Sequence, residues 1–183
     1  MESVGEYQIG WYEEVYWTRG SYSPYQDFAR HNDVFRKILG YQPASMLDVG
    51  CAYGFMVGRC WGKGIPAVGL DVSEWCGKNF AAPGYYVRGS GWALPFKNKS
   101  FDLLYCEGVL EHIPEDKIPL VFQEFIRVAN RGMLGISYDC PTTDHHICNH
   151  DFGWWAERIP PGFFLGTSGQ SLDREESWYV KSS

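Results

Sequence analysis

The stretch "MLDVGCAYGFMVGRC", residues 46–60, decides how the rest of the chain is read. Residues 46–49 form a short strand-like run, the glycines at 50 and 54 mark a turn, and "FMVGRC" continues as a helix-like run. A strand, a glycine turn and a helix in that order resemble the opening of a nucleotide-binding crossover. The pyrophosphate form of that turn needs glycines at 50, 52 and 55, but this chain has Ala52 and Phe55 at the last two. Phe55 obstructs close approach of a phosphate, so the turn keeps Asp48, Gly50 and Gly54 around the small Ala52. Backbone N–H groups and a helix start at such a turn suit an anion smaller than a pyrophosphate, and a free carboxylate meets that description.

From residue 45 onward, short apolar runs alternate with helix-like stretches, the pattern of a parallel sheet covered by helices. Strands are expected at 45–49, 67–72, 85–89, 101–106 and 132–138. Between the last two, Ile118, Val121, Phe122, Phe125 and Ala129 recur at three- and four-residue steps, which marks an amphipathic helix, and Pro114 sits close before it. Upstream, a helix is expected over 24–39, opened by Ser23 and Pro24 and closed by Gly40, with Phe28, Phe35, Ile38 and Leu39 toward the sheet. Downstream, 151–159 reads as a short helix, and 162–180 as two strands joined by a Gly/Ser-rich, charged turn. The expectation is an α/β chain with a seven-stranded sheet, five strands parallel and a terminal antiparallel hairpin. Ligands of such open sheets sit beyond the carboxyl ends of the strands at the switch point, where residues 48–54 belong.

A chain of 183 residues, 45% of them hydrophobic, is about one domain long and can bury a core. Its 16 basic and 22 acidic residues give a net charge of −6, without the broad positive field of a nucleic-acid binder, so no nucleic acid is expected as a partner. No apolar run approaches the ~20 residues that span a bilayer. The first residues carry neither a basic flank nor an apolar stretch, so the expectation is a cytoplasmic chain without a membrane partner. The cysteines at 51, 60, 76, 106, 140 and 148 include no Cys-x-x-Cys pair and read as buried thiols. Aromatic residues crowd the segment before residue 42. Trp11, Tyr12, Tyr16 and Trp17 fall at helical spacing, either as a stripe packed on the sheet or as a lid whose ring faces favour a cation.

Asp71, in "VGLDVS", closes the second expected strand, where a carboxylate accepts two hydrogen bonds from a ribose diol. A ribose without phosphates, together with a free carboxylate, describes S-adenosyl-L-methionine. With "LDVGCAYG" at 47–54, "VGLDVS" at 68–73 and "GSGWALPFKNKSFDLLYCEGVLEHIP" at 89–114, the chain resembles the class I S-adenosylmethionine-dependent methyltransferases, particularly the type 11 group. The resemblance implies a three-layer α/β/α Rossmann-like fold in a single domain, 1–183. Within it, 1–41 would be an aromatic helical lid, 42–138 the cofactor-binding core, and 139–183 an acceptor-side loop, helix and hairpin. It implies a transferase that uses S-adenosyl-L-methionine, releases S-adenosyl-L-homocysteine and methylates a small molecule, at oxygen or nitrogen before carbon. By position, it implies that Asp48, Gly50, Cys51, Ala52 and Gly54 surround the methionine part, with Tyr53 packing or bordering the tail. Asp71 would hold the ribose, Val72 would lie against the adenine, Ser90, Gly91 and Trp92 would flank its edge, and Glu107 and Gly108 would line the pocket. Ser90 stands where the family often has an acidic residue, and Ala52 where a glycine is frequent.

Methyl transfer from a sulfonium is an in-line displacement in which the protein supplies alignment and dryness, and an oxygen acceptor often needs a base. Glu107, Asp144 and His150 belong to the wider set of titratable candidates. His112, in "LEHIP", and His145 and His146, in "DHH", are the catalytic candidates, for acceptor binding or proton removal, set against structural roles for the same side chains. His146, Cys148 and His150 alternate, and with Asp144, His145 and Asp151 they supply a competing reading as a transition-metal site. Their spacing matches no closed zinc pattern, so no metal is assigned. A further alternative is a module that binds S-adenosylmethionine without catalysis. Cys51 and Cys106 lack cationic neighbours in sequence and read as structural thiols. The sequence specifies no oligomeric state.

Overall fold

The central strands are apolar on both sides because both faces of the sheet are covered. The structure, a computed structural model, describes residues 32–80, 82, 85–138, 146–167 and 179–180. In chain order these form α1 (Asn32–Tyr41), β1 (Met46–Val49), α2 (Phe55–Trp61), β2 (Ala67–Asp71), α3 (Glu74–Lys78), β3 (Tyr86–Arg88) and β4 (Phe101–Glu107). Two 3-10 turns, Leu110–His112 and Glu115–Lys117, lead into α4 (Ile118–Val128), β5 (Ala129–Ile136), α5 (Phe152–Arg158), β6 (Phe163–Thr167) and β7 (Tyr179–Val180).

Neighbouring strand residues enter opposite layers. Met46, Leu103, Tyr105 and Met133 pack with Phe35 and Ile38 of α1 and with Met56, Val57 and Cys60 of α2. Leu47, Leu104, Cys106 and Leu134 pack on the other face with Val121 and Phe125 of α4 and Trp155 of α5. Each large apolar side chain buried this way contributes about 1.5–3 kcal/mol.

The sheet order is β3-β2-β1-β4-β5-β6-β7. All strands through β6 pair in parallel, and β7 is antiparallel to β6. The first strand of the expected hairpin therefore extends the parallel set to six. Gly132 makes this possible: a Cβ there would lie 2.2 Å from the Phe163 ring, which itself stacks on Phe125 with centroids 6.5 Å apart.

Most strand ends shift by one or two residues from the sequence expectation, and two boundaries move for identifiable reasons; Ala129, expected as the last apolar step of the helix, opens β5. β5 starts at Ala129 instead of 132, because α4 runs directly into a strand paired with β4 in the register Phe101 to Ala129. Lys99 Nζ donates to the carbonyls of Ile126 and Ala129, at 2.8 and 2.9 Å, and so satisfies the helix end without a loop. α1 runs through Gly40 to Tyr41, whose ring packs on Phe164 at 5.2 Å, and Pro43 follows as the stop. The expected helix before residue 32, the aromatic lid, and the 139–145 segment with His145 lie outside the described residues. No helix among the described residues is long and apolar enough to cross a membrane.

Candidate functional site

Strand order reverses between β1 and β4, so the crevice of this sheet opens at their carboxyl ends. Three residues of the loop leaving β1 have left-handed backbone: Gly50 at φ 76°, Ala52 at 47° and Gly54 at 73°. Gly50 is required twice over, since a Cβ there would also stand 2.1 Å from Val109 Cγ2. At Gly54 a Cβ would meet the Phe80 ring at 2.1 Å, and at Gly69 it would meet Cys51 Sγ and Phe80 at 2.7 Å. Phe80 thus fills the space these glycines leave. Sequence reading missed its role, although Gly69 inside a strand was the signal of a close approach.

The loop's own N–H groups are largely used within the protein. Gly50 and Cys51 donate to the Leu70 carbonyl at 2.8 and 3.1 Å, and Gly54 donates to Cys51 at 2.7 Å. Ala52 N–H donates to Asp71 Oδ2 at 3.0 Å. The expected cradle of N–H groups for a ligand carboxylate is therefore not formed by these four donors. β2 takes three of them and the fourth closes a turn within the loop, so what the loop offers is its shape.

Asp71 is buried, and its Oδ1 accepts from Ser73 N–H at 3.0 Å while Oδ2 holds Ala52. Its carboxylate clamps the β1–α2 loop to the β2–α3 turn. The left-handed conformation of Ala52, worth about 1–2 kcal/mol of strain for a non-glycine residue, is offset by that bond. Ser73 in turn caps α3, accepting from Cys76 N–H at 3.0 Å. Asp48 is also buried, and Asp71 and Asp48 add to burial in pushing the Cys51 thiol well up. Burial does the same for Cys106, with Glu111, Asp48 and Glu107 adding to it. Both thiols stay protonated, in keeping with structural roles.

Around this centre, Tyr53 sets its ring edge-on to Trp75 at 5.4 Å, forming an aromatic rim with Phe55. The Val72 carbonyl accepts from Arg88 Nε at 3.0 Å. The segment after β3 carries Ser90, whose carbonyl accepts from Ala93 N–H at 3.2 Å, and then the buried Gly91 and half-buried Trp92. α4 fixes the far end of that segment. Glu124 Oε2 accepts from Leu94 N–H at 2.7 Å, and Arg127 donates to the carbonyls of Leu94 at 2.9 Å and Phe96 at 2.6 Å. Sequence reading missed this Glu124–Arg127 clamp, whose signal was an acid and a base three residues apart on one helix. At the end of β4, Tyr105 donates its hydroxyl to Glu107, and Gly108, at φ 65°, donates its N–H to the Gly135 carbonyl at 2.9 Å.

His112 and His146 come together edge to face, with ring centroids 4.7 Å apart. Glu111, which sequence reading passed over although it interrupts the apolar run "VLEHI", is buried between these groups and β5. Its Oε1 accepts from Ser137 N–H at 3.1 Å, and its carbonyl accepts from Cys148 N–H at 3.0 Å. Burial pushes its carboxyl above the ordinary value, while hydrogen bonds and His146 pull it back. Glu111, His112 and His146 each offer a ligand atom within 4.8 Å of the others.

The alternating set His146, Cys148 and His150 does not gather. His150 Nε2 lies 3.0 Å from Glu115 Oε2, and its ring stacks on Trp154 at 3.8 Å. Cys148 is buried in the core, which pushes its thiol up to about 12. Asp151 caps α5, accepting from Trp154 N–H at 2.8 Å.

Residues 47–135 match the model of a methyltransferase domain. Over 95 residues the chain is 33% identical to an uncharacterized methyltransferase of Mycobacterium sp. (strain JLS), covering 50% of this chain and 37% of that relative. It is 28% identical over 131 residues to the botryococcene C-methyltransferase of Botryococcus braunii, covering 66% of this chain and 34% of that relative. A TehB-like SAM-dependent methyltransferase from Corynebacterium glutamicum shares the fold, with a TM-score of 0.60 at 21% identity over 80% of this chain and 79% of that one. The chain thus spans little more than a third of the length of these curated relatives.

Proposed function

We propose that this chain, which belongs through residues 47–135 to the class I S-adenosylmethionine-dependent methyltransferases, binds that cofactor in the β1–β4 crevice and methylates a small molecule there. The supporting observation is the pair of buried carboxylates, Asp48 and Asp71, that both act on Cys51 at the mouth of a loop shaped by left-handed residues. A ligand bearing sulfonium and ammonium charges is favoured beside two carboxylates, so the residues fit this cofactor. When bound, S-adenosyl-L-methionine supplies an electrophilic methyl group and leaves as S-adenosyl-L-homocysteine.

The chain's own residues bind and orient. Asp48, Gly50, Cys51, Ala52 and Gly54 surround the methionine part, with carbonyl oxygens toward its amino group and the Tyr53 rim beside the tail. Asp71, whose carboxylate is fixed in place by the Ala52 and Ser73 N–H groups, takes the ribose hydroxyls. Val72 packs on the adenine, and the clamped segment holding Ser90, Gly91 and Trp92 covers its edge. Glu107 and Gly108 close the pocket at β4. The acceptor is a small molecule bearing oxygen or nitrogen, and the net charge of −6 accords with an acceptor other than nucleic acid. His112, His145 and His146 are the groups for acceptor binding or proton removal.

Calorimetry with S-adenosyl-L-methionine, followed by S-adenosyl-L-homocysteine release across a panel of phenols, carboxylates and amines, tests the proposal. Binding with turnover supports it. Binding without turnover on any acceptor favours a non-catalytic cofactor-binding module, and no binding by folded protein sinks both.

A further inference from the structure

We propose that Glu111, His112 and His146 form a site for one divalent transition-metal ion, at the turn that leaves the carboxyl end of β4. Two imidazoles and a carboxylate are a ligand set for Zn²⁺ and its first-row neighbours, and three protein ligands leave a coordination position open. The residues come from two separated segments. Glu111 and His112 lie in the 3-10 turn after β4, and His146 belongs to the segment before α5, which the bond from Cys148 N–H to the Glu111 carbonyl ties to that turn. One ligand atom from each lies within 4.8 Å of the other two. A common ion at the usual ~2.0–2.2 Å from each would draw them to within about 4 Å, a contraction that small side-chain rotations supply.

The independent observation is Glu111 itself. It is 1% exposed, and while Oε1 is held by Ser137, Oε2 is buried with no hydrogen-bond partner among the described residues. A buried carboxylate oxygen without a donor is destabilising. A polar group is retained in the apolar run "VLEHI" at that cost. A cation beside Oε2 gives it the missing partner. His150 and Cys148 are excluded from the set by their positions against Glu115 and in the core.

The site follows directly on Val109, whose side chain abuts Gly50 of the cofactor loop. An open metal position there would take an oxygen donor. An imidazole nitrogen that holds a metal does not also take a proton, so the proton-removal role proposed for His112 and His146 applies to the metal-free protein, and in the metal-bound protein they are ligands. The inference does not require methyl transfer, and cofactor binding is measured separately on the same metal-free protein.

The test uses the full chain made without a polyhistidine tag, stripped with a chelator, and titrated with Zn²⁺ by calorimetry and with Co²⁺ by visible absorption. One ion per chain is expected, with the intense Co²⁺ bands of four- or five-coordination. His146→Ala and Glu111→Gln should each weaken Zn²⁺ binding at least tenfold, and His150→Gln should leave it unchanged. Because Glu111 is buried, His112→Ala serves as a third variant, and urea unfolding of each metal-free variant verifies that it folds. No stoichiometric ion in the folded wild type, or unchanged affinity in both histidine variants, overturns the proposal.

Discussion

Asp71→Asn separates bracing of the loop from mere burial of a charge. In the wild type each carboxylate oxygen accepts one backbone N–H at 3.0 Å, from Ser73 and from Ala52. Hydrogen bonds to a charged acceptor contribute about 1.5–3 kcal/mol each. The amide oxygen of Asn can keep one of them, but its NH₂ then confronts the other N–H, so one bond is lost in a site only 9% exposed. If the lost bond is that to Ala52, the left-handed strain at that residue is no longer offset. The expected destabilisation is about 2 kcal/mol, roughly a 30-fold change in the folded-to-unfolded ratio, read as a lower urea midpoint with an unchanged slope. S-adenosyl-L-methionine affinity should fall at least tenfold in the same protein, because the loop and the proposed ribose acceptor change together. An unaltered urea midpoint with unaltered affinity would refute the clamp and the ribose contact alike.

Gly50→Ala should destabilise by about 1–3 kcal/mol in thermal unfolding, since its Cβ would lie 2.1 Å from Val109 Cγ2 at a φ of 76°. Adding Val109→Ala should recover the steric part and leave about 1 kcal/mol of backbone strain. Arg127→Met removes the donors to Leu94 and Phe96 and should cost about 1–2 kcal/mol, with faster amide exchange confined to residues 91–98 as the clamp on that segment is lost. Asp102 accepts from Ala44 N–H at 3.1 Å, which holds its carboxyl below the ordinary value, and Arg131 adds to the effect. A depressed folded-state pKa stabilises above the unfolded value near 4 and is lost as pH falls through the folded one. Asp102→Asn should therefore be less stable than wild type by about 1 kcal/mol at pH 7, converging with it in acid, as urea midpoints across pH would show.

The fold was readable where periodicity and burial agree. "MLDV", the apolar steps of α4 and the alternation of strands with helices all follow from a sheet covered on both faces. The start of β5 was hidden because Asn130, Arg131 and Gly132 look like a turn, and only pairing with β4 and capping by Lys99 make them strand. The parallel pairing of β6 depends on Phe163 fitting over Gly132, a contact between distant residues that no local pattern encodes.

For the proposed site, Asp71 and the glycines of the loop were singled out by their spacing, and the structure brings them together at the β1–α2 loop. The use of the loop N–H groups by Leu70 and Asp71 was not, since it depends on how closely β2 approaches. His146 was singled out for its neighbours in sequence, but in space it joins His112 and Glu111, which precede α4 and β5 in the chain. Glu111 passed unnoticed because an acid beside a histidine after a strand carries no sign of burial until the chain is folded.

The central claim, a cofactor site in the β1–β4 crevice, is tested most directly by titrating the purified, folded chain with S-adenosyl-L-methionine in a calorimeter. The account predicts saturable one-to-one binding, competed by S-adenosyl-L-homocysteine and weakened at least tenfold by Asp71→Asn. Absence of saturable binding, or binding indifferent to Asp71→Asn and to the competitor, would contradict it.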